Sequence, residues 1–193
     1  MLILRKIGGF SLLELLISIA IFTLLFVMGA PSFSQWIQNT QNRTAAESIL
    51  NGLQLARTEA VRHNAPVRFD LTDGIGNVTW QVTCVTVTDN CPGGNLYQRS
   101  ASDGSINARA GIATATGALG TALSAGTGLP DGVTFDGLGR VVTANIGADI
   151  ARVDITNAAR TDARRMTILI GAGGQVRMCD PMLYIASSPQ GCQ

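Results

Sequence analysis

From Phe10 to Ala30 the chain runs 21 residues in which only Ser, Thr, Gly and one carboxylate, Glu14, interrupt Leu, Ile, Phe, Val, Met and Ala. At about 1.5 Å per residue such a helix covers roughly 30 Å, one bilayer hydrocarbon core. Pro31 follows, without a backbone N–H, and Gly29 weakens the same turn. A kink or local opening is expected there rather than a stop. From Ser34 to His63 the pattern becomes amphipathic. Ala46, Ile49, Leu50, Leu53, Ala56, Ala60 and Val61 recur at three-and-four spacing, and Gln38, Asn42, Arg43, Glu47, Gln54, Arg57 and Arg62 fill the other face. The stop lies at "HNAPV": Asn64 accepts a left-handed cap, and Pro66 forbids continuation. The expectation is one helix from Phe10 to His63, its first half facing lipid and its second half lying on a folded head.

After Pro66 the period changes to two. "VRFDL", a turn at "DGIGN" and "VTWQVTCVTV" read as a hairpin. Residues 98–130 are rich in Ala, Gly, Ser and Thr without a period and are expected to form loop or short strand, mobile in part. Strand signals return in "GVTFD", "GRVVT", "ARVDIT", "RRMTILIG" and "QVRMC", with turns at "DGLG" and "GAGG". Strands joined by turns without intervening helices predict antiparallel sheet, and the amphipathic helix supplies the lid for its apolar face. The fold class expected is α+β.

Composition changes this picture little. The 193 residues carry a net charge of +1, which gives no general electrostatic case for nucleic acid or anionic lipid. The four cysteines fall as two short-range pairs, Cys84/Cys91 and Cys179/Cys192. With no Cys-x-x-Cys and one histidine, disulfides are favoured over a metal, and they place the head outside the cytoplasm. No cofactor is expected.

Glu14 is the position that demands an account. A secretory signal peptide explains the apolar run poorly, because the run is too long and the only small-residue cut site is a weak Met28-Gly29-Ala30. A plain signal anchor explains everything except Glu14, since a carboxylate in hydrocarbon costs about 3 kcal/mol or more and calls for a partner. No basic residue lies inside the run. Cleavage between Gly9 and Phe10 would create an α-amine four residues before Glu14, about one helical turn away.

"GGFSLLELL", behind the basic Arg5 and Lys6, resembles the class III signal of type IV pilins and type II secretion pseudopilins. The resemblance implies a leader cut after Gly9, N-methylation of Phe10 by the prepilin peptidase, and assembly by helix bundling, with Glu14 setting register against the Phe10 amine of a neighbouring subunit. Pro31 stands where family helices carry a proline. Further on, "LQLARTEAVRHNAPVRF" (53–69), "GVTFDGLGRV" (132–141) and "RRMTILIGAGGQVRMC" (165–179 with the preceding Arg164) resemble the FimT/FimU and type II secretion H-type minor subunits. This implies a pilin-like fold with four parts: a leader, 1–9; a transmembrane and assembly helix, 10–30; an amphipathic continuation, 31–64; and a β-rich head, 65–193. The implied role is non-enzymatic. It is that of a minor pilin that takes part in initiating a type IV pilus and is incorporated into it. The alternative is an H-type pseudopilin of a type II secretion system, and a further alternative is a DNA-binding minor pilin in natural transformation. The implied partners are other minor and major pilins or pseudopilins, the peptidase, an inner-membrane assembly platform and membrane lipid. The implied location is the bacterial inner membrane, N-terminus cytoplasmic and head periplasmic, and then the pilus or pseudopilus.

Other chemistry is sparse. No set of nucleophile, base and orienting group is visible. His63 sits at the helix stop as a surface or capping residue, and Asp70, Asp73 and Asp89 flank turns. "GIGNVTW" lacks the helix that a phosphate-binding glycine loop needs. Some FimT-like minor pilins take up DNA through Gly-Arg-x-Arg. The matching stretch here is Gly174-Gln175-Val176-Arg177, with glutamine in the first arginine's place. Arg164, Arg165 and Arg177 could cluster as weak phosphate contacts, but Asp162 and Asp180 adjoin them, so a solvated sheet end of mixed charge is preferred and nucleic acid is not an expected partner.

Overall fold

The computed structural model describes residues 11–192. Helix α1 spans Leu12–His63 and passes through position 31 without interruption. Phe10, where the sequence pattern starts the helix, lies outside the described residues. The chain divides into two compact units, one ending at Ile37 and the other beginning at Gln38.

The second unit, the head, holds the rest of α1 and eight strands: β1 Val67–Leu71, β2 Trp80–Cys84, β3 Asn95–Arg99, β4 Ala108–Ala113, β5 Asp131–Phe135, β6 Arg152–Asn157, β7 Met166–Ile170 and β8 Val176–Cys179. They form two antiparallel four-stranded sheets, ordered β3-β2-β1-β5 and β4-β6-β7-β8. The period-two pattern of β1 becomes burial of Val67, Phe69 and Leu71, with Arg68 and Asp70 half-buried between them. The helix contributes Ala45, Ala46, Ile49, Leu53, Ala56 and Ala60 to the same core. Gly52 is required there, because a Cβ would stand 2.7 Å from the Phe69 ring and 3.1 Å from Trp80. Those rings meet at 5.7 Å between centroids, and Trp80 Nε1 donates to Ser48 Oγ at 2.8 Å, which satisfies the indole where it is buried. The helix ends on Asn64 at φ 47°, with Asn64 N–H donating to Val61 O and Ala65 N–H to Ala60 O. That is the paired bonding of a left-handed C-terminal cap.

Three expectations need correction. Val85 and Val87 are not strand: β2 ends at Cys84, its pairing with β3 shifts register after Val82, and both valines are exposed. "GRVVT" gives no strand either. Val141 makes an isolated bridge to Phe135, and the chain then turns through a 3-10 segment, Thr143–Asn145. Asn42, assigned to the outer face of the helix, is fully buried; its amide donates to Arg164 O and its oxygen accepts from Asn157 Nδ2. The 98–130 stretch contributes β4 and part of β3. Its remaining coil is held by buried charge. Arg152 donates to the carbonyls of Thr116, Ala118 and Thr121, Arg165 donates to those of Leu119 and Gly120, and Asp154 accepts from Leu123 N–H. Asp154 also joins the two arginines and accepts from Thr167 Oγ1 at 2.8 Å.

Candidate assembly helix and head surface

Among the described residues of the first unit most apolar side chains stand exposed. Leu12, Phe22, Phe26 and Phe33 are each more than 60% exposed, and the most apolar 18-residue window of α1 has a mean hydropathy of 2.5 with none of it buried. The few polar groups are turned inward on the backbone. Ser18 Oγ donates to Glu14 O at 2.7 Å and Thr23 Oγ1 to Ile19 O at 2.8 Å, so neither hydroxyl is left unpaired in an apolar setting. The only charge in the unit's described residues is Glu14. It lies in the first turn of α1, where Ser11 Oγ accepts its N–H at 3.1 Å. Ser-x-x-Glu is the spacing of a capping box, and a carboxylate in the first turn also opposes the helix dipole. The sequence carried this signal at Ser11, and the reading of Glu14 as a partner-seeking charge passed over it. Gly9 and Phe10 lie outside the described residues.

On the head, disulfides join Cys84 to Cys91 and Cys179 to Cys192, with Cα separations of 5.9 and 5.1 Å. The arginines proposed for nucleic acid do not form a free basic cluster. Arg165 is 9% exposed and committed to Asp154 and the 119–120 carbonyls. Arg164 pairs through Nε with Asp180, which is itself buried. Arg177 donates to Cys192 O at 3.4 Å. Nearby, Arg160 donates to Asp162 and holds that carboxyl below the usual range. Arg165, weighed from the sequence as a weak phosphate contact, is thus held within the head, and its guanidinium is structural.

His63 is not a lone surface group: Nε2 lies 3.0 Å from Glu59 Oε2, and Glu59, 6% exposed, also meets Arg62 and the Tyr97 hydroxyl. Asp73 caps its turn, accepting from Ile75 and Asn77 N–H. In the Asp136–Arg140 turn, Asp136 accepts the N–H of Arg140 and of Leu138, and these bonds lower its pKa. Arg57 Nε docks the same turn onto α1 through Gly139 O at 2.9 Å. Among the described residues no group of three or more His, Cys, Asp or Glu is placed to hold a metal.

A family model described as type II transport protein GspH matches residues 45–174, well over half the chain. The chain belongs to the GspH family. A second model, the prokaryotic N-terminal methylation motif, matches residues 4–30 and so takes in the exposed apolar run. Among solved structures the chain is similar to the type IV minor pilin FimU of Pseudomonas aeruginosa, with 17% identity, 82% of this chain and 99% of that chain covered, and a TM-score of 0.51. It is also similar to the minor pseudopilin EpsH of the Vibrio cholerae type 2 secretion system, with 10% identity, 73% and 98% covered, and a TM-score of 0.47. At such identity the FimU match speaks for the fold: a long N-terminal helix on antiparallel sheets. No curated protein matches the chain. The methylation motif and the apolar helix make the protein a membrane-anchored component of the pilus or pseudopilus kind.

Proposed function

We infer that the protein is a minor pilin that takes part in initiating a type IV pilus and is incorporated into it, with a structural rather than catalytic role. The observation that carries this is the coincidence, in one segment, of a methylation motif with an apolar helix whose described side chains stand exposed. Such a surface needs lipid first and other helices afterwards. Arg5 and Lys6 would hold the N-terminus in the cytoplasm and leave the disulfide-bearing head in the periplasm. The peptidase would cut between Gly9 and Phe10 and methylate Phe10. Glu14 would then meet the Phe10 amine of a neighbour, and Pro31, which removes one N–H from the helical ladder, would permit a bend. Partners are other pilins and the inner-membrane assembly platform. The engagement of Arg164, Arg165 and Arg177 within the head supports leaving nucleic acid out.

The second reading, an H-type pseudopilin, is favoured by the description of the matching family itself. Deleting the gene separates the two. Loss of surface filaments with secretion of folded exoproteins intact supports the pilus, and the reverse outcome supports the secretion system. Intact mass of membrane-extracted protein should show loss of residues 1–9 and gain of one methyl. A mature start near residue 31 would mean an ordinary signal peptide.

A further inference from the structure

The loop closed by Cys84–Cys91 forms a small knob on the head. Thr88 and Cys91 exchange both backbone bonds, Thr88 N–H to Cys91 O at 2.9 Å and Cys91 N–H to Thr88 O at 3.1 Å, which leaves Asp89 and Asn90 at the tip of a two-residue turn. The disulfide fixes this turn on the buried Cys91, and Val85 N–H ties its base to Pro66 O at 3.0 Å. Val85 and Val87 are 53% and 67% exposed. Asp89 is exposed too, and its carboxylate has no partner among the described residues. The knob thus offers open valines beside an uncommitted negative charge.

A surface of the opposite character lies on the head's part of α1. Gln54, Arg57, Thr58, Val61 and Arg62 line an open groove of about 600 Å³. Val61 is 52% exposed. A Cβ on Gly139 would stand 3.2 Å from Val61 and 3.3 Å from Cγ of Arg57, so the Asp136–Arg140 turn rests against both side chains. Arg57 gives that turn only its Nε, and its two terminal nitrogens have no partner among the described residues. Arg62 reaches Glu59 at 3.3 Å, but Glu59 is also held by His63 and Tyr97. Arg140 and Asp136 satisfy each other. The groove therefore carries uncommitted positive charge beside an open valine, which is the complement of the knob.

The strand order sets where the two surfaces stand. Val67 of β1 is in register with Cys84 of β2 on one side and with Phe135 of β5 on the other. The knob leaves β2 just after Cys84, and the turn that Arg57 docks follows β5. Both lie at the same end of the sheet, on opposite sides of β1, with two strand spacings of about 5 Å between their strands. A neighbouring head in the same orientation, displaced across the sheet, turns its knob toward this groove. We propose that knob and groove are the two halves of a contact between copies of this chain, with Asp89 of one copy pairing with Arg57 of the next and Val87 covering Val61. The contact is heterologous, so each copy keeps one half free for a further neighbour. Two apolar side chains and an ion pair are too few to hold soluble heads together. Anchorage of both copies in one bilayer supplies the effective concentration that makes the contact count. This goes beyond the bundling of anchors through Glu14, since it is carried by the head alone.

The test is photo-crosslinking of the full-length protein in phosphatidylcholine and phosphatidylglycerol vesicles. Benzoylphenylalanine in place of Asn90 puts the probe at the knob's tip and leaves Val87 and Asp89 intact. In place of Ile75 it gives the control, 73% exposed in the turn joining β1 to β2 at the other end of the sheet. The expected result is a covalent dimer from position 90, joined within residues 54–62 or 136–140 of the second copy, and none from position 75. Asp89→Arg, at an exposed residue without partners, should lower the yield about fivefold. The double variant Gln54→Glu and Thr58→Glu neutralises the groove without touching a bond to another element, and it should lower the yield similarly. Mixing differently tagged Asp89→Arg and groove-variant proteins should restore dimers that carry one tag of each kind. No dimer from position 90, a dimer joined elsewhere, or a yield indifferent to Asp89→Arg overturns the proposal. Adducts formed only with other minor subunits overturn it in favour of a different partner. Each of these failures leaves the assembly reading standing, because that reading is tested at Glu14 and not on the head.

Discussion

Helix α1 is one element with two economies. From Leu12 to Phe33 its leucines, isoleucines and phenylalanines stand open, and the hydroxyls of Ser18 and Thr23 turn back onto carbonyls one turn earlier. From Gln38 to His63 small and branched residues are buried against β-sheet, and buried polar groups such as Asn42, Ser48 and Glu59 each reach a partner. The first half is hydrophobic for the sake of something outside the chain, the second for the sake of the chain itself. Hydrophobicity alone does not distinguish these cases. What distinguishes them is whether the rest of the sequence supplies a complementary surface.

The comparison breaks most sharply at buried charge. Asp154 is fully buried between Arg152 and Arg165, so Asp154→Ala leaves two guanidinium groups unpaired and should cost about 3–5 kcal/mol. Urea unfolding of the detergent-solubilised protein, followed by circular dichroism, measures it. An unchanged midpoint would mean that the triad and the 116–123 coil do not stabilise the head.

A matched pair of phenylalanines sharpens the contrast between the halves of the helix and their surroundings. Phe69→Ala empties the space over Gly52 and beside Trp80 and should cost about 3–5 kcal/mol. Phe22→Ala, 70% exposed, should move the same unfolding transition by less than about 0.5 kcal/mol. Equal effects would mean that the apolar half packs on the head.

Much of this was legible in the sequence. β1, β2, β5, β6, β7 and β8 fall on alternating runs, and the helix stop falls on Asn64. What was not legible has physical causes. Arg152 and Asp154 alternate with Val153 and Ile155, so they read as the wet face of β6, yet that face is buried beneath the 116–123 coil. The coil is held by its carbonyls, which every residue possesses, so composition gives no sign of it. Arg164 and Arg165 read alike as surface cations. Burial of one and the link of the other to Asp180 depend on which strands share a sheet, and local pattern does not encode that. Of the functional features, the apolar run, Glu14 and the cysteine pairs were visible, whereas the cap at Ser11 was visible and passed over.

The disulfides give a smaller effect. Replacing Cys84 and Cys91 together by Ser removes a short closed loop and should cost about 2–3 kcal/mol on the chain-entropy account. Thermal unfolding under non-reducing conditions measures it, and peptide mapping that joined Cys84 to Cys179 would contradict the pairing.

The smallest effect concerns pH. The pKa of Asp136 is lowered in the folded head because its carboxylate accepts the N–H groups of Arg140 and Leu138. Its stabilisation is therefore present above the unfolded value of about 3.9 and is lost as pH falls through the lower folded value. Asp136→Asn should lower stability at neutral pH by about 1 kcal/mol and make no difference in strong acid. A gap that widened on acidification would contradict this assignment.

The central claim is that the open half of α1 is an assembly surface on which Glu14 acts between subunits. The most direct measurement is co-purification of Glu14→Ala with partner minor subunits from a strain in which surface filaments are also counted. Removing the carboxylate leaves the first turn capped by Ser11 Oγ, so the variant should insert in the membrane, lose residues 1–9 and fold its head as before. The account predicts that it nonetheless fails to co-purify and that filaments become fewer, with Glu14→Asp intermediate because its reach is shorter. Co-purification of Glu14→Ala at the parental level would contradict the claim and leave Glu14 with only its place in the first turn of the helix.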